Sequence, residues 1–246
     1  GLGIPAEPLF RSIVFDREVK VHDDGLEVDG RVIKVTAIKD PAELPWSTTE
    51  VDVVLESTGL FLKREDAQKH LDAGAKKVVL SAPAKSEDIP TFVQGVNDNV
   101  LTSDVDIISN ASCTTNCFAP MVKVLDELGN IQEGLMSTIH AYTADQAIQD
   151  GPHKDLRRAR AAAQNIIPTS TGAAKATTKV LPHLDGKLSA VAYRVPVITG
   201  SLTDFSATLE KDVSVEEVKA AFHEAAGASL SNVLEYADEP LVSTDI

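Results

Sequence analysis

Residues 51–83 read VDVVLESTGLFLKREDAQKHLDAGAKKVVLSAP: an apolar run, a glycine stop, an amphipathic stretch and a second apolar run. Few folds accept that order. A nearly continuous apolar strand such as VDVVLEST is expected where both faces of a sheet are covered, which is the usual condition of parallel sheets. Between the two runs, Ala67, Leu71 and Ala75 fall on one helical stripe, with Gly74 near its end, so the segment reads as strand, helix, strand. TFVQGVN and VDIISN follow as further apolar strands. The expected product is an α/β layer with its ligand crevice at the carboxyl ends of the strands, where Ser57-Thr58-Gly59, Ser81-Ala82-Pro83 and Ser109-Asn110 stand.

After residue 112 the pattern changes. CTTNCFAPMVKVLDELG reads as a helix, but EGLMSTIHAYT and LSAVAYRVPVITGSLTDFSATLEK alternate as strands of a mainly antiparallel sheet do when one face is covered. We therefore expect two domains, an α/β domain over 1–112 and an α+β domain over 113–246. Within the first, ahead of its apolar strands, DDGLEVDGRVIKV reads as a short strand pair turning at Asp24-Gly25. Near the C-terminal end, Ser214 and Glu217 have capping-box spacing at the start of a surface helix.

Charge narrows the range of partners. Thirty-seven acidic against twenty-three basic side chains leave a formal charge of −14, a field that repels nucleic-acid backbones and anionic lipid surfaces. Nucleic acid and membrane are not expected partners, although a local cationic pocket could still take a small phosphate. GLGIPAEPLFRS has no charged-then-apolar signal pattern, and a cytoplasmic location is the expectation. The only two cysteines, Cys113 and Cys117, are four apart; that spacing is neither a structural zinc site nor the C-x-x-C redox motif, so no metal is expected. Catalysis or core packing remains.

If Ser112 caps the helix, Cys113 is its first residue, where free N–H groups and the helix dipole favour a thiolate. Plain burial is the competing reading for any cysteine, and it fits Cys117, set among apolar residues, better. An adjacent imidazole would strengthen the case for Cys113. His140, inside the strand STIHAYT, is the candidate; His22, His70, His153, His183 and His223 fall in expected turns or on polar helix faces. Thr169, Ser170, Thr171 and Gly172 precede a further helix and could receive a phosphate, or Thr171 could be an ordinary N-cap. Arg194, among the apolar residues of AVAYRVPV, needs a counter-ion, either a phosphate or a buried carboxylate. Arg157, Arg158 and Arg160 read as a solvated helix face from which one member could turn inward.

Taken together, SNASCTTNC, STIHAYT, PHKDLRRARAAA with IIPTSTGAAKA, YRVPV, ESTGLF and SAPAK resemble the glyceraldehyde-3-phosphate dehydrogenase family in order and spacing over roughly residues 20 to 246, with RVPVITGSLTDF leaning toward its actinobacterial branch. The resemblance implies a Rossmann-type cofactor domain, NAD as cofactor, and phosphorylating oxidation of a small phosphorylated aldehyde through a cysteine thiohemiacetal and thioester. Cys113 would be the nucleophile and His140 its base. Thr143 and Arg194 match the pocket for the substrate's phosphate, and Arg158 is an addition to the phosphate-binding set. Ser112, Thr114, Thr171 and Gly172 match the pocket for the attacking inorganic phosphate. Thr58, Gly59 and Ser81 match positions lining the cofactor groove, and Lys39 stands where the family usually has an arginine. Gly151-Pro152 falls where the family discriminates NAD from NADP. A homotetramer is implied as well.

The sequence also departs from the family's pattern. Gly1-Leu2-Gly3 carries two glycines of a G-x-G-x-x-G turn, but no strand precedes it and Ala6 stands at the third. PLVSTDI ends before the family's last strands. The expectation is thus a partial Rossmann-type parallel-sheet domain joined to an incomplete catalytic domain, a chain that binds NAD poorly alone. Two alternatives accompany it: an erythrose-4-phosphate dehydrogenase type of enzyme, which hydrolyses the thioester, and a catalytically silent interaction subunit.

Overall fold

The computed structural model describes residues 17–246, which fall in two packing units, residues 17–44 and 45–246. The expectations placed on Gly1-Leu2-Gly3 and Ala6 lie outside the described residues. Within the first unit, Val19–His22 (β1), Gly25–Val28 (β2) and Arg31–Lys34 (β3) form an antiparallel meander rather than a strand pair alone. Gly25 is required there, because a Cβ would lie 2.1 Å from the carbonyl oxygen of Ile33.

The larger unit holds two sheets. Val53–Glu56 (β4), Lys77–Leu80 (β5) and Ile107–Ser109 (β6) pair in parallel in that order, with the helix Arg64–Asp72 (α1) between β4 and β5. Val54, Leu62, Ala67, Val78, Leu80 and Ile107 make one core cluster. Two details differ from the sequence reading. Only one face of β4 is buried: Val54 and Glu56 point inward, whereas Val53 and Leu55 are 55% and 64% exposed. TFVQGVN is not a strand; Thr91 alone bridges to Ser109, and Gly95, with φ +75°, and the Asn97 side chain, bonded to Val93 N and Thr91 O, curl the rest into turns.

The second sheet is mixed. Its order is Ser201–Leu209 (β10), Ile131–Ala141 (β7), Leu188–Val195 (β9) and Ile167–Thr169 (β8), with the two outer pairings antiparallel and β7–β9 parallel. Adjacent in sequence, β9 and β10 are separated in space by β7. The helices Cys113–Gly129 (α2) and Ala173–Val180 (α3) belong to the same unit, and Val215–Gly227 (α4) carries the expected capping box. Phe118 of α2, wholly buried, meets Phe205 of β10 edge to face at 4.8 Å, among Val122, Ile131, Met136 and Leu184. This apolar cluster fixes α2 on the sheet and so fixes where its first residue points. The division expected at residue 112 falls between β6 and α2, inside the larger unit.

Candidate active site

The connection from β6 to α2 sets the geometry of the site. Asn110 N donates to Leu80 O, and the chain then reverses at Ala111, fully buried with a left-handed φ of +58°, its N–H held 3.1 Å from Ser109 Oγ. A non-glycine residue in that region is strained, of order 1–3 kcal/mol, and persists only where its surroundings enforce it. Ser112 follows as N-cap, its Oγ accepting from Thr115 N at 3.1 Å, and Cys113 is the first residue of α2.

On β7, residues 136, 138 and 140 share the buried face. His140, 8% exposed, presents Nε2 to Cys113 Sγ at 3.3 Å. Its Nδ1 lies 2.7 Å from the carbonyl oxygen of Ala141, so that nitrogen carries the ring proton and donates it. Nε2 is then an unprotonated acceptor facing the thiol. Arg194, opposite His140 in the β7–β9 register, donates through one terminal nitrogen to the same carbonyl at 3.0 Å and to Thr143 Oγ1 at 3.2 Å. That nitrogen also approaches Nδ1 at 3.1 Å, but two donors do not bond one another, and the approach is a contact only.

These neighbours change the acidity of the thiol. His140 is the largest influence, and with the thiol's contacts to Thr114 it lowers the Cys113 pKa to about 7 against the opposing effect of burial. Burial, then the charge of Arg158, draws the Arg194 guanidinium below its ordinary value, while Cys113 and Asp145 oppose that shift.

A cleft of about 560 Å³ opens beside the pair, lined by Ser112, Cys113, Thr114, His140, Arg158, Thr171, Gly172 and Arg194, and also by Pro83, Thr138, Ser170, Lys175 and Lys179. Thr143 is tied to this wall through Arg194 rather than lining it. Arg158 turns inward as one of the three arginines, bonding Asp145, Thr169 Oγ1 at 3.0 Å and Ser170 O. No helix forms over 157–160, and Arg160 instead pairs with Asp150.

Thr171 is not the N-cap of α3. Gly172 holds that position, and Thr171 Oγ1 accepts from Ala173 N at 3.2 Å. Neither does Arg194 use a carboxylate; the Ala141 carbonyl and a hydroxyl receive it instead. Cys117 is exposed rather than buried, its thiol 3.6 Å from Thr203 Oγ1 of β10. His70, expected on a polar face, is 3% exposed; it accepts from Trp46 Nε1 at 3.1 Å through Nδ1 and donates to Glu56 Oε2 at 3.2 Å.

At the carboxyl ends of β4 and β5 stand Thr58, Gly59 and Ser81, all exposed. Thr58 N and Oγ1 both donate to Glu56 Oε1, which holds the turn, and Gly59 has φ +74° with open space where a Cβ would be. The carboxyl ends of a parallel sheet are where such folds leave a ligand crevice, and Pro83, two residues beyond Ser81, lines the Cys113 cleft. Lys39 is exposed and belongs to the smaller packing unit. Among the described residues, no group of three His, Cys, Asp or Glu side chains is placed to hold a metal ion, and no helix is long and apolar enough to cross a membrane.

Thr138, Lys175 and Lys179 escaped the sequence reading. A signal was present for each: Thr138 is two residues from His140 on one strand face, and the lysines are four apart on a helix already marked as an anion receptor.

A parallel sheet and a mixed one thus share the larger unit, with a thiol–imidazole pair beside a cation-lined cleft. The family model described as "Glyceraldehyde 3-phosphate dehydrogenase, C-terminal domain" matches residues 112–246, and that described as "Glyceraldehyde 3-phosphate dehydrogenase, NAD binding domain" matches residues 12–64. Glyceraldehyde-3-phosphate dehydrogenase of Streptomyces coelicolor is 58% identical over 93% of this chain and 68% of its own length; glyceraldehyde-3-phosphate dehydrogenase 1 of Bacillus subtilis is 57% identical over 94% and 69%. The Mycobacterium avium enzyme of the same name is 59% identical over 91% of this chain and 66% of its own. The chain belongs to the glyceraldehyde-3-phosphate dehydrogenase family, whose members are NAD-dependent oxidoreductases.

Proposed function

We propose that this chain carries the phosphorylating oxidation of glyceraldehyde 3-phosphate, with Cys113 as nucleophile and His140 as its acid–base partner. The separation of 3.3 Å between Sγ and an unprotonated Nε2, beside a cation-lined cleft, carries this reading. Nε2 takes the thiol proton, and the thiolate adds to the aldehyde carbon. The imidazolium returns that proton to the new alkoxide, so a hemithioacetal hydroxyl stands beside His140. When the hydroxyl carbon is oxidised, Nε2 withdraws the hydroxyl proton and a thioester to Sγ remains. NAD, when bound, supplies the hydride acceptor; Thr58, Gly59 and Ser81 are residues that would line its groove. Phosphate attack on the thioester then expels the Cys113 thiolate and forms the acyl phosphate.

Two anions therefore need seats. Arg194, with Thr143 and Arg158, suits the phosphate borne by the substrate; Ser112, Thr114, Thr171 and Gly172 suit the attacking phosphate. The first turns of α2 and α3 both end in this cleft, and their N–H groups favour anions. The backbone N–H of Cys113 and protonated His140 suit the oxyanion. By the same reading, residues 1–112, Lys39 among them, serve the cofactor and 113–246 the chemistry, and the protein works in the cytoplasm as a homotetramer.

The half-reaction from the product side needs no cofactor and tests this directly. On mixing the chain with 1,3-bisphosphoglycerate, Sγ should attack the acyl carbon and release phosphate. A phosphoglyceroyl mass on Cys113, absent from Cys113→Ser, is the expected result; acylation spread equally over Cys117 would overturn it. Phosphate dependence of turnover separates this activity from the erythrose-4-phosphate dehydrogenase type.

A further inference from the structure

The cleft carries more positive charge than the thiol–imidazole pair accounts for. α3 buries Ala173, Thr177 and Val180, and its other side brings exposed Lys175 and Lys179, one turn apart, to the wall of the Cys113 cavity. Arg158, on the same wall, is neutralised by Asp145 and Asp155. The two lysines are not: among the described residues neither forms an ion pair with a carboxylate. In a chain of net charge −14 this is a local reversal of field. A dianion approaching such a protein is repelled at long range, and attraction must come from cations within a Debye length, about 8 Å at physiological salt.

A second observation points to a ligand at the same place. Thr138 lines this cavity, is 1% exposed, and its Oγ1 finds no hydrogen-bond partner in the protein. Buried hydroxyls are ordinarily satisfied, because leaving one unpaired loses the hydration it had when unfolded. An oxygen of an anion seated in the cleft would satisfy it.

We propose that Lys175 and Lys179 draw phosphate-class dianions into the cleft and that the Thr138 hydroxyl donates to an anion oxygen at its floor. This rests on the reading of Cys113 as nucleophile beside an anion site, and adds three residues to that site. The lysines act on entry and on specificity for charge; Thr138 acts on the seated anion.

Alkylation of Cys113 by iodoacetate and by iodoacetamide, followed by peptide mapping, tests it on the chain alone. Both reagents consume the same thiolate, so the ratio of their rates cancels any change in its pKa and reads the charge of the cleft. In Lys175→Gln/Lys179→Gln the iodoacetate-to-iodoacetamide ratio should fall about tenfold at low ionic strength, and high salt should erase the difference. Lys175→Arg/Lys179→Arg should restore the ratio. In Thr138→Val the ratio should hold, but protection of Cys113 by inorganic phosphate should need several-fold more phosphate; Thr138→Ser should behave as Thr138. A ratio within twofold of the unsubstituted chain in the double glutamine variant overturns the role of the lysines, and unchanged phosphate protection in Thr138→Val overturns that of the threonine. If Cys113 of the unsubstituted chain reacts with iodoacetamide no faster than Cys117, the nucleophile reading itself has failed instead.

Discussion

The carbonyl oxygen of Ala141 accepts from both His140 Nδ1, at 2.7 Å, and Arg194, at 3.0 Å. One backbone acceptor thus orients the imidazole and the guanidinium together, and it dictates the histidine tautomer. Long-range ¹H–¹⁵N spectra should assign the Nδ1-protonated form to neutral His140. An Nε2-protonated signature would mean that the ring cannot accept from Cys113.

Ser112 holds the first turn of α2 by accepting from Thr115 N. Ser112→Ala should cost about 1 kcal/mol, the usual loss for an N-cap hydroxyl, with iodoacetamide labelling of Cys113 slowed at neutral pH as the helix end frays. Urea unfolding gives the first number and peptide mapping the second.

Phe118 is the centre of the cluster that seats α2 on the mixed sheet, and its ring packs on Phe205. Phe118→Ala should destabilise the chain by roughly 3–5 kcal/mol, from lost burial and the cavity left behind. A loss below 1 kcal/mol in urea titration would show that α2 is anchored elsewhere.

His70 joins Trp46 to Glu56, and Glu56 in turn holds the Thr58 turn. Removing the ring takes a donor from a carboxylate that is 3% exposed, at a cost of about 1–3 kcal/mol. His70→Ala should lower stability by that amount, while His70→Gln, whose amide can donate to Glu56, should recover part of it.

Much of this was readable because periodicity and caps are local. Ser112, Gly59 and the Ser214–Glu217 box announce their roles within a few residues, and Cys113 at the head of α2 follows from the chain order of apolar strand, bend and helix. What sequence reasoning missed depends on the third dimension. His70 sits on a helix whose sequence looks polar, yet α1 turns that position onto Glu56 and Trp46, distant partners that no local pattern discloses. Arg158 bends inward because Asp145 and Thr169, thirteen and eleven residues away, meet it. Cys117 has apolar neighbours in sequence but is exposed, with Thr203 of a distant strand beside its thiol. The exposed side of β4 differs in kind: a strand apolar on both faces reads as covered on both, and composition alone does not say what lies above a sheet.

The central claim is that His140 keeps Cys113 poised as a thiolate near neutrality. The charged form of a thiol is the deprotonated one, so a pKa lowered to about 7 leaves roughly half of it reactive at that pH. At an ordinary thiol pKa near 8.5, only a few per cent would be. The pH profile of Cys113 alkylation by iodoacetamide, read by peptide mapping, measures this most directly. The profile should rise with a midpoint about 7 and move up by about one unit or more in His140→Asn. A midpoint at the ordinary thiol value in the unsubstituted chain, or no movement on replacing His140, would contradict the account.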